Sequence, residues 1–257
     1  MEDTILVLDH GYVKLIGSYG TDETVANAAR TSYKKKETYN AKRPDPALIR
    51  YLMMHEHMGP FEFCQLHVEI KAPLFIVKQL LRHRTGSANE ISARYCELPD
   101  EVYVPALSDI AGPPPKGKSK QGRDEENVLD TLTEDDKLSI QELIALASGE
   151  SMKAYKVLLQ MGLAPEVARL VMPANAYTVV QFTIDLRNLL HMLHLRTHRT
   201  AQLEFRRYAE ILLWIAREKW PACVAAWEEK TGRAPSRSQP DAPPATVPVL
   251  PVPTEEE

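Results

Sequence analysis

The sequence predicts an α+β domain, a largely antiparallel central sheet flanked by helices, and three observations predict it. Two short apolar runs, residues 5–8 and 12–16, bracket Asp9-His10-Gly11 in the pattern of a hairpin. Residues 63–71 alternate: Leu66, Val68 and Ile70 face one way, and Gln65, His67, Glu69 and Lys71 the other, as in a half-buried strand. From residue 138 onward the apolar periodicity is helical, so helices accompany the strands. With 257 residues, 44% of them hydrophobic, the chain can bury a single sizeable core.

The elements follow in order. Residues 23–32 read as a helix. Asp45-Pro46 opens another, with Asp as cap, Pro in the first turn and Gly59 past the end; Leu48, Leu52 and His55 share its face. Pro73 opens a helix through Leu80-Leu81 that stops near Gly86, where a turn leads into a strand. Residues 99–137 lack apolar periodicity and read as a mobile surface loop, with 112–127 as an insertion. Helical patterns resume over 138–161, 166–171, 178–194 and 202–220; in the last, Phe205, Tyr208, Leu212 and Ile215 follow a helix period. The domain is expected over 1–231, and 232–257, rich in Pro and ending in three Glu, is expected to be a disordered tail.

Composition narrows the function. A net charge of −4 argues against general nucleic-acid binding, which needs a broad basic surface, so an anion site must be a local cluster. Three cysteines without a CxxC argue against a disulfide framework, and Cys64, Cys96 and Cys223 read as small buried hydrophobes. No basic segment precedes an apolar run at the N-terminus, and no apolar run approaches the ~18 residues of a membrane span. A cytoplasmic protein is the simplest expectation.

Arg82-His83-Arg84 sets two guanidinium groups and an imidazole together at a helix end. Such residues can simply compensate the helix dipole. They can also form an anion site, since an Arg fork suits phosphate or a pyrimidine edge. The polar run behind them, Ser87, Asn89, Glu90, Ser92, Arg94 and Tyr95, favours the second account. On a continued helix, Gln79 and Arg82 would share a face while Arg84 pointed elsewhere, so the triplet could address two ligands. His55-Glu56-His57 has the wrong spacing for zinc, and no metal is expected; His191, His194 and His198 recur at helical spacing but lack a carboxylate partner.

Arg82-His83-Arg84, seven residues, then Ser92 resembles the RHR-x7-S signature of the flavin-dependent thymidylate synthases. Arg30-Thr31-Ser32-Tyr33, His57 before Gly59-Pro60-Phe61-Glu62, the segment from Val167 to Pro173, and Leu186-Arg187 with His191 and Leu195-Arg196 are similar to further segments of that family, in order over roughly residues 1–225. The resemblance implies reductive methylation of dUMP to dTMP, with 5,10-methylenetetrahydrofolate as carbon donor and FAD reduced by NADPH. It also implies a homotetramer with active sites at subunit interfaces. It assigns Gln79, Arg82, Glu90, Ser92, Arg94, Arg169 and Arg196 to dUMP, with Arg196 as the catalytic residue that favours the N3-deprotonated uracil. It assigns Ser32, His57, Arg82, His83, Arg84, Glu90, Asp185, Arg187 and His191 to FAD. Ser92 is expected to be a ligand, since a hydroxyl without a base is a weak nucleophile. The departures are Met58-Gly59-Pro60-Phe61-Glu62-Phe63, Asp185 where Asn also occurs, and Thr200-Ala201-Gln202 for His-Ala-Gln. Two other readings compete: a methyltransferase with Cys96 as nucleophile beside Arg94, and a non-catalytic nucleotide or RNA binder using Arg82, Arg84 and the Lys116 to Arg123 run.

Overall fold

The computed structural model describes residues 4–31, 45–110, 112 and 133–233. Ser32, nearly all of the 112–127 insertion with its basic run, and the tail beyond 233 lie outside the described residues. The hairpin is β1 (Thr4–Val7) and β2 (Gly11–Tyr19), followed by helix α1 (Asp22–Arg30). Helix α2 (Asp45–Met54) ends on Glu56, not Gly59. Glu56 takes a positive φ of 60, and the N–H groups of Glu56 and His57 return to the carbonyls of Met53 and Leu52. That double closure satisfies the last carbonyls of the helix and holds Glu56 in a region costly for a residue with a Cβ.

β3 (Gln65–Pro73) lies centrally and buries Leu66, Val68 and Ile70, as the alternation predicts. It leads into the short helix α3 (Leu74–Leu80) and then β4 (Ser87–Glu90). The stretch expected to be helical over 178–194 divides: Tyr177–Asp185 is strand β5, and the helix α6 begins only at Leu186. Thr178, Val179, Val180, Thr183 and Ile184 are β-branched, and β5 sits between β3 and β4 with every other side chain buried. Asp185 then caps α6 by accepting from the Asn188 backbone N–H at 3.0 Å. The sheet order is β1-β2-β3-β5-β4, antiparallel throughout.

Between them lie α4 (Glu134–Gln160), opened by a reciprocal Thr133–Asp136 cap, and α5 (Pro165–Ala168), which tightens into a 3-10 turn at Arg169–Val171. After α6 (Leu186–Arg196) come α7 (Leu203–Lys219) and α8 (Pro221–Thr231). Phe205, Tyr208, Leu212 and Ile215 of α7 are buried together with Val13, Val68, Phe182, Leu189, Trp220 and Val224 in one core. Each such side chain contributes about 1.5–3 kcal/mol when removed from water. The opposite sheet face is polar: Tyr12 donates to Glu69 at 2.9 Å, Gln181 to Glu69 at 2.6 Å, and His67 meets Gln181 at 2.8 Å.

Two further expectations are corrected. Residues 101–110 are ordered against the core: Val102 bridges Ala176, Val104 N–H donates to Asp9, and buried Asp109 takes a two-pronged bond from Arg207 at 2.6 and 2.7 Å. These partners are distant in sequence, so local periodicity carries no trace of them. Cys64 and Cys223 are buried as expected, but Cys96 is exposed, with its thiol against the Ser92 carbonyl.

Candidate active site

The basic triplet does not continue the helix. α3 stops at Leu80, and the N–H groups of Arg82 and His83 close tight turns onto the carbonyls of Gln79 and Leu80. The helix-face argument for Arg82 and Arg84 therefore fails, and the turn does the sorting instead. His83 points inward and is half-buried; Arg82 and Arg84 are exposed, and their side chains make no hydrogen bond or ion pair among the described residues. Gly86 permits this geometry: a Cβ there would strike the ring of buried Phe182 in β5. The chain can thus press onto the sheet before β4 pairs with β5, from Ser87 opposite Thr183 to Glu90 opposite Val180.

His83 is the centre of one cluster. Arg196, the last residue of α6, donates from Nε to His83 Nε2 at 3.0 Å and from Nη1 to Gln79 Oε1 at 3.3 Å. Its guanidinium lies 4.9 Å from the centroid of the Phe205 ring, and Gln79 is itself held by a hydrogen bond to Gln202. Burial, then the Arg196 charge, then His191 push the His83 pKa down from 6.5 to about 4. His83 is therefore neutral, with its proton on Nδ1 and its Nε2 lone pair turned to Arg196. Burial also draws Arg196 below its ordinary value. Arg187 and His191 lie one turn apart on the same helix, and Arg187 is paired with Glu62 of the 3-10 turn Gly59–Phe63. His57 is exposed near that turn, 6.0 Å from the Tyr51 ring.

The second cluster is a pocket of about 370 Å³ lined by Leu74, Glu90, Ile91, Ser92, Ala93, Leu98, Arg169 and Met172. Three residues expected to hold the nucleotide, Glu90, Ser92 and Arg169, meet here. Arg94 stands beside it, its guanidinium 3.2 Å from the Glu166 carboxylate and 5.3 Å from the Tyr95 ring centroid. Arg169 donates to the Glu166 backbone carbonyl at 3.3 Å. The arrangement offers a carboxylate, a hydroxyl and guanidinium groups at an apolar floor, which suits a polar ring carrying an anion. Gln79, Arg82 and Arg196 are not in this pocket. Leu74 at the start of α3 lines the pocket, whereas Gln79 lies near the end of that helix, Arg82 just past it, and Arg196 is joined to Gln79 by a hydrogen bond.

Sequence reasoning missed Glu166, Gln202 and Phe205. Each acts only through tertiary neighbours, although Gln202 belongs to a segment already noted as a departure. Asp185, expected to contact FAD, caps α6 and also accepts from Asn188 Nδ2 at 2.6 Å. Among the described residues no group of three or more His, Cys, Asp or Glu is arranged to hold a metal, and no helix is long and apolar enough to cross a membrane.

Residues 14–222 match the family described as thymidylate synthase complementing protein. The chain is 39% identical over 226 residues to a flavin-dependent thymidylate synthase of Thermus thermophilus, covering 88% of this chain and 78% of that one. It is 39% identical to the Gluconobacter oxydans enzyme of the same name, covering 87% and 72%. Among solved structures, a UMP/dUMP methylase from Streptomyces cacaoi bound with 5-Br dUMP superposes with a TM-score of 0.77 at 32% identity, over 90% of this chain and 100% of that one. Matched over most of its length by the profile and by relatives sharing one name, the chain belongs to the flavin-dependent thymidylate synthases.

Proposed function

We propose that the flavin-dependent methylation of dUMP to dTMP takes place between the two clusters. The observation that carries this is the pocket itself, where Glu90, Ser92 and Arg169 converge on a volume within the range small-ligand sites occupy, about 300–1,000 Å³. In this reading dUMP occupies the pocket, Arg94 leaves Glu166 to meet its phosphate, and Gln79, Arg82 and Arg196 approach its other end. Arg196 holds a fixed positive charge at the uracil edge and favours the N3-deprotonated ring. Neutral His83 accepts from Arg196 and fixes its direction.

We assign FAD to Arg82 and Arg84, whose side chains have no partner among the described residues, together with His57, His83, Arg187 and His191. Ser32 and Glu90 complete the proposed contacts, and Asp185 serves them by capping α6. When bound, FAD supplies the redox chemistry, with NADPH as reductant and 5,10-methylenetetrahydrofolate as carbon donor. The residues of the chain bind, orient and exclude water. In this reading the enzyme is a homotetramer whose subunits bring the two clusters together across an interface. We place the enzyme in the cytoplasm, the domain over residues 1–231 with Gly232 and Arg233 closing its last helix, and a tail beyond them.

The test is spectroscopic and chemical. Purified protein should be yellow, with flavin absorption near about 450 nm, and should release tritium from C5-labelled dUMP; UMP is run in parallel because the Streptomyces cacaoi neighbour is named for both nucleotides. Colourless protein that FAD cannot reconstitute would overturn the reading. Arg196→Ala should abolish turnover with FAD retained, and loss of FAD instead would reassign Arg196. Cys96→Ser should stay active; an inactive variant that still binds FAD and dUMP would favour the cysteine route.

A further inference from the structure

Arg196 is held from the front by His83, Gln79 and Phe205. What holds it from behind lies outside the matched residues 14–222. At the end of α8, Gly232 takes a left-handed φ of 68, and the N–H of Arg233 returns to the Glu228 carbonyl at 2.9 Å. This closure turns the chain back toward the end of α6. There Arg233 Nη2 donates to the Thr197 backbone carbonyl at 3.0 Å, and Nη1 donates to the Thr197 hydroxyl. Thr197 immediately follows Arg196, is buried, and donates its own hydroxyl proton to the Leu193 carbonyl at 2.5 Å. The Arg233 guanidinium also rests 5.4 Å from the centroid of the buried Trp227 ring.

We propose that Arg233 is a positioning residue for Arg196: it ties off the last turn of α6 and so fixes the point from which the Arg196 guanidinium is aimed. The final carbonyls of a helix have no partners within it, and a cation there satisfies them and complements the dipole. Without Arg233 the Thr197 carbonyl loses its donor and the Thr197 hydroxyl loses one. The last turn can then fray, and Arg196 sits on that turn. An error of about 1 Å in placing a group at a reacting centre costs up to about a hundredfold in rate. The inference rests on the proposed role of Arg196, so the experiment separates the two.

The variants are Arg233→Ala, Arg233→Lys, Thr197→Val and, as a control, Arg50→Ala, which removes the exposed Arg50–Glu229 link between α2 and α8 without touching α6. All are made in the full chain, with FAD content measured in each. Arg233→Ala should lower kcat at saturating dUMP about tenfold or more, with FAD retained. Arg233→Lys should restore most of it, and Thr197→Val should move kcat the same way as the Ala variant. Arg50→Ala should keep kcat. The second readout needs no catalysis: the His83 ring signal, titrated by NMR, should shift its midpoint upward in Arg233→Ala as the neighbouring Arg196 charge loosens. Unchanged kcat and an unchanged His83 titration in Arg233→Ala overturn the proposal. If that variant does not fold, full kcat in Thr197→Val overturns it. If Arg196→Ala itself keeps full turnover, the reading of Arg196 has failed, and the His83 titration alone decides whether Arg233 positions it.

Discussion

Acid should disarm this site through His83, and the size of the effect follows from its surroundings. The ring is half-buried, accepts from the Arg196 guanidinium at 3.0 Å, and faces His191, so it resists protonation down to about pH 4 against an ordinary 6.5. A pKa unit corresponds to about 1.4 kcal/mol, so the full shift is worth about 3 kcal/mol, less for the part of the ring that water screens. The sign is set by which state takes the proton. Above pH 6.5 neither state is protonated and stability is intact. As pH falls from about 6.5 toward about 4, the unfolded chain takes up a proton that the native site refuses, and stability is lost. Below about 4 the native site protonates too, and two cations then share the 3.0 Å contact. The assay is His83 titration by NMR together with urea unfolding at pH 7 and pH 5. The parent should lose up to about 2 kcal/mol more between these pH values than His83→Gln, which keeps a neutral acceptor and cannot protonate. A His83 midpoint near 6.5, or equal losses in the two proteins, would refute the Arg196–His83 geometry.

Three other predictions concern the pocket and its supports. Glu166→Gln should free Arg94 for phosphate; an exposed pair of this kind is worth up to about 1 kcal/mol, so KM for dUMP should fall by up to about fivefold at low salt, and an unchanged or raised KM would rule out the competition. Gly86→Ala should cost about 1–3 kcal/mol in thermal or urea unfolding, because its methyl meets the Phe182 ring, and should weaken dUMP binding by displacing β4; parental stability would show that the close approach is dispensable. Arg207→Met should destabilise by about 1–3 kcal/mol, since it removes the two-pronged charge-assisted bond to buried Asp109, and a loss under about 0.5 kcal/mol would mean that residues 101–110 are not anchored there.

The elements legible in the sequence are those whose burial repeats locally. α7 shows its buried face at helical spacing, and β3 shows its own by alternation. β5 is misread because a β-branched run passes without a break into the apolar helix α6; only the capping role of Asp185 marks the boundary, and a lone Asp is weak punctuation. Residues 101–110 look featureless because Asp9, Asn175 and Arg207, their partners, are contributed from elsewhere in the chain. The site follows the same rule. Glu90, Ser92, Arg94 and Arg169 stand in motifs and can be named from the sequence. Glu166, Gln202, Phe205 and Arg233 cannot, because each matters only for the neighbour it meets after folding. Even Arg82 and Arg84, singled out from the sequence, owe their exposure to a turn that the helix pattern did not foretell.

The cations of the site divide by what binding must undo. Arg94 and Arg187 are paired with exposed carboxylates, Glu166 and Glu62. An arriving phosphate must break such a pair, yet the loss is about 1 kcal/mol or less, because water already screens it. In return the guanidinium is held near its working position and sacrifices little side-chain freedom on binding. Arg196 is different. Its partners are neutral, half-buried and directional, so no counter-charge cancels it at the place where negative charge must be stabilised. A carboxylate in place of His83 would hold Arg196 more tightly and spend its charge; a neutral imidazole holds it and leaves the charge available. The depressed His83 pKa, set first by burial and then by the Arg196 charge, keeps that imidazole neutral. The same distinction explains why anchoring Arg196 falls to groups such as Arg233 that grip its backbone neighbour and leave the guanidinium free.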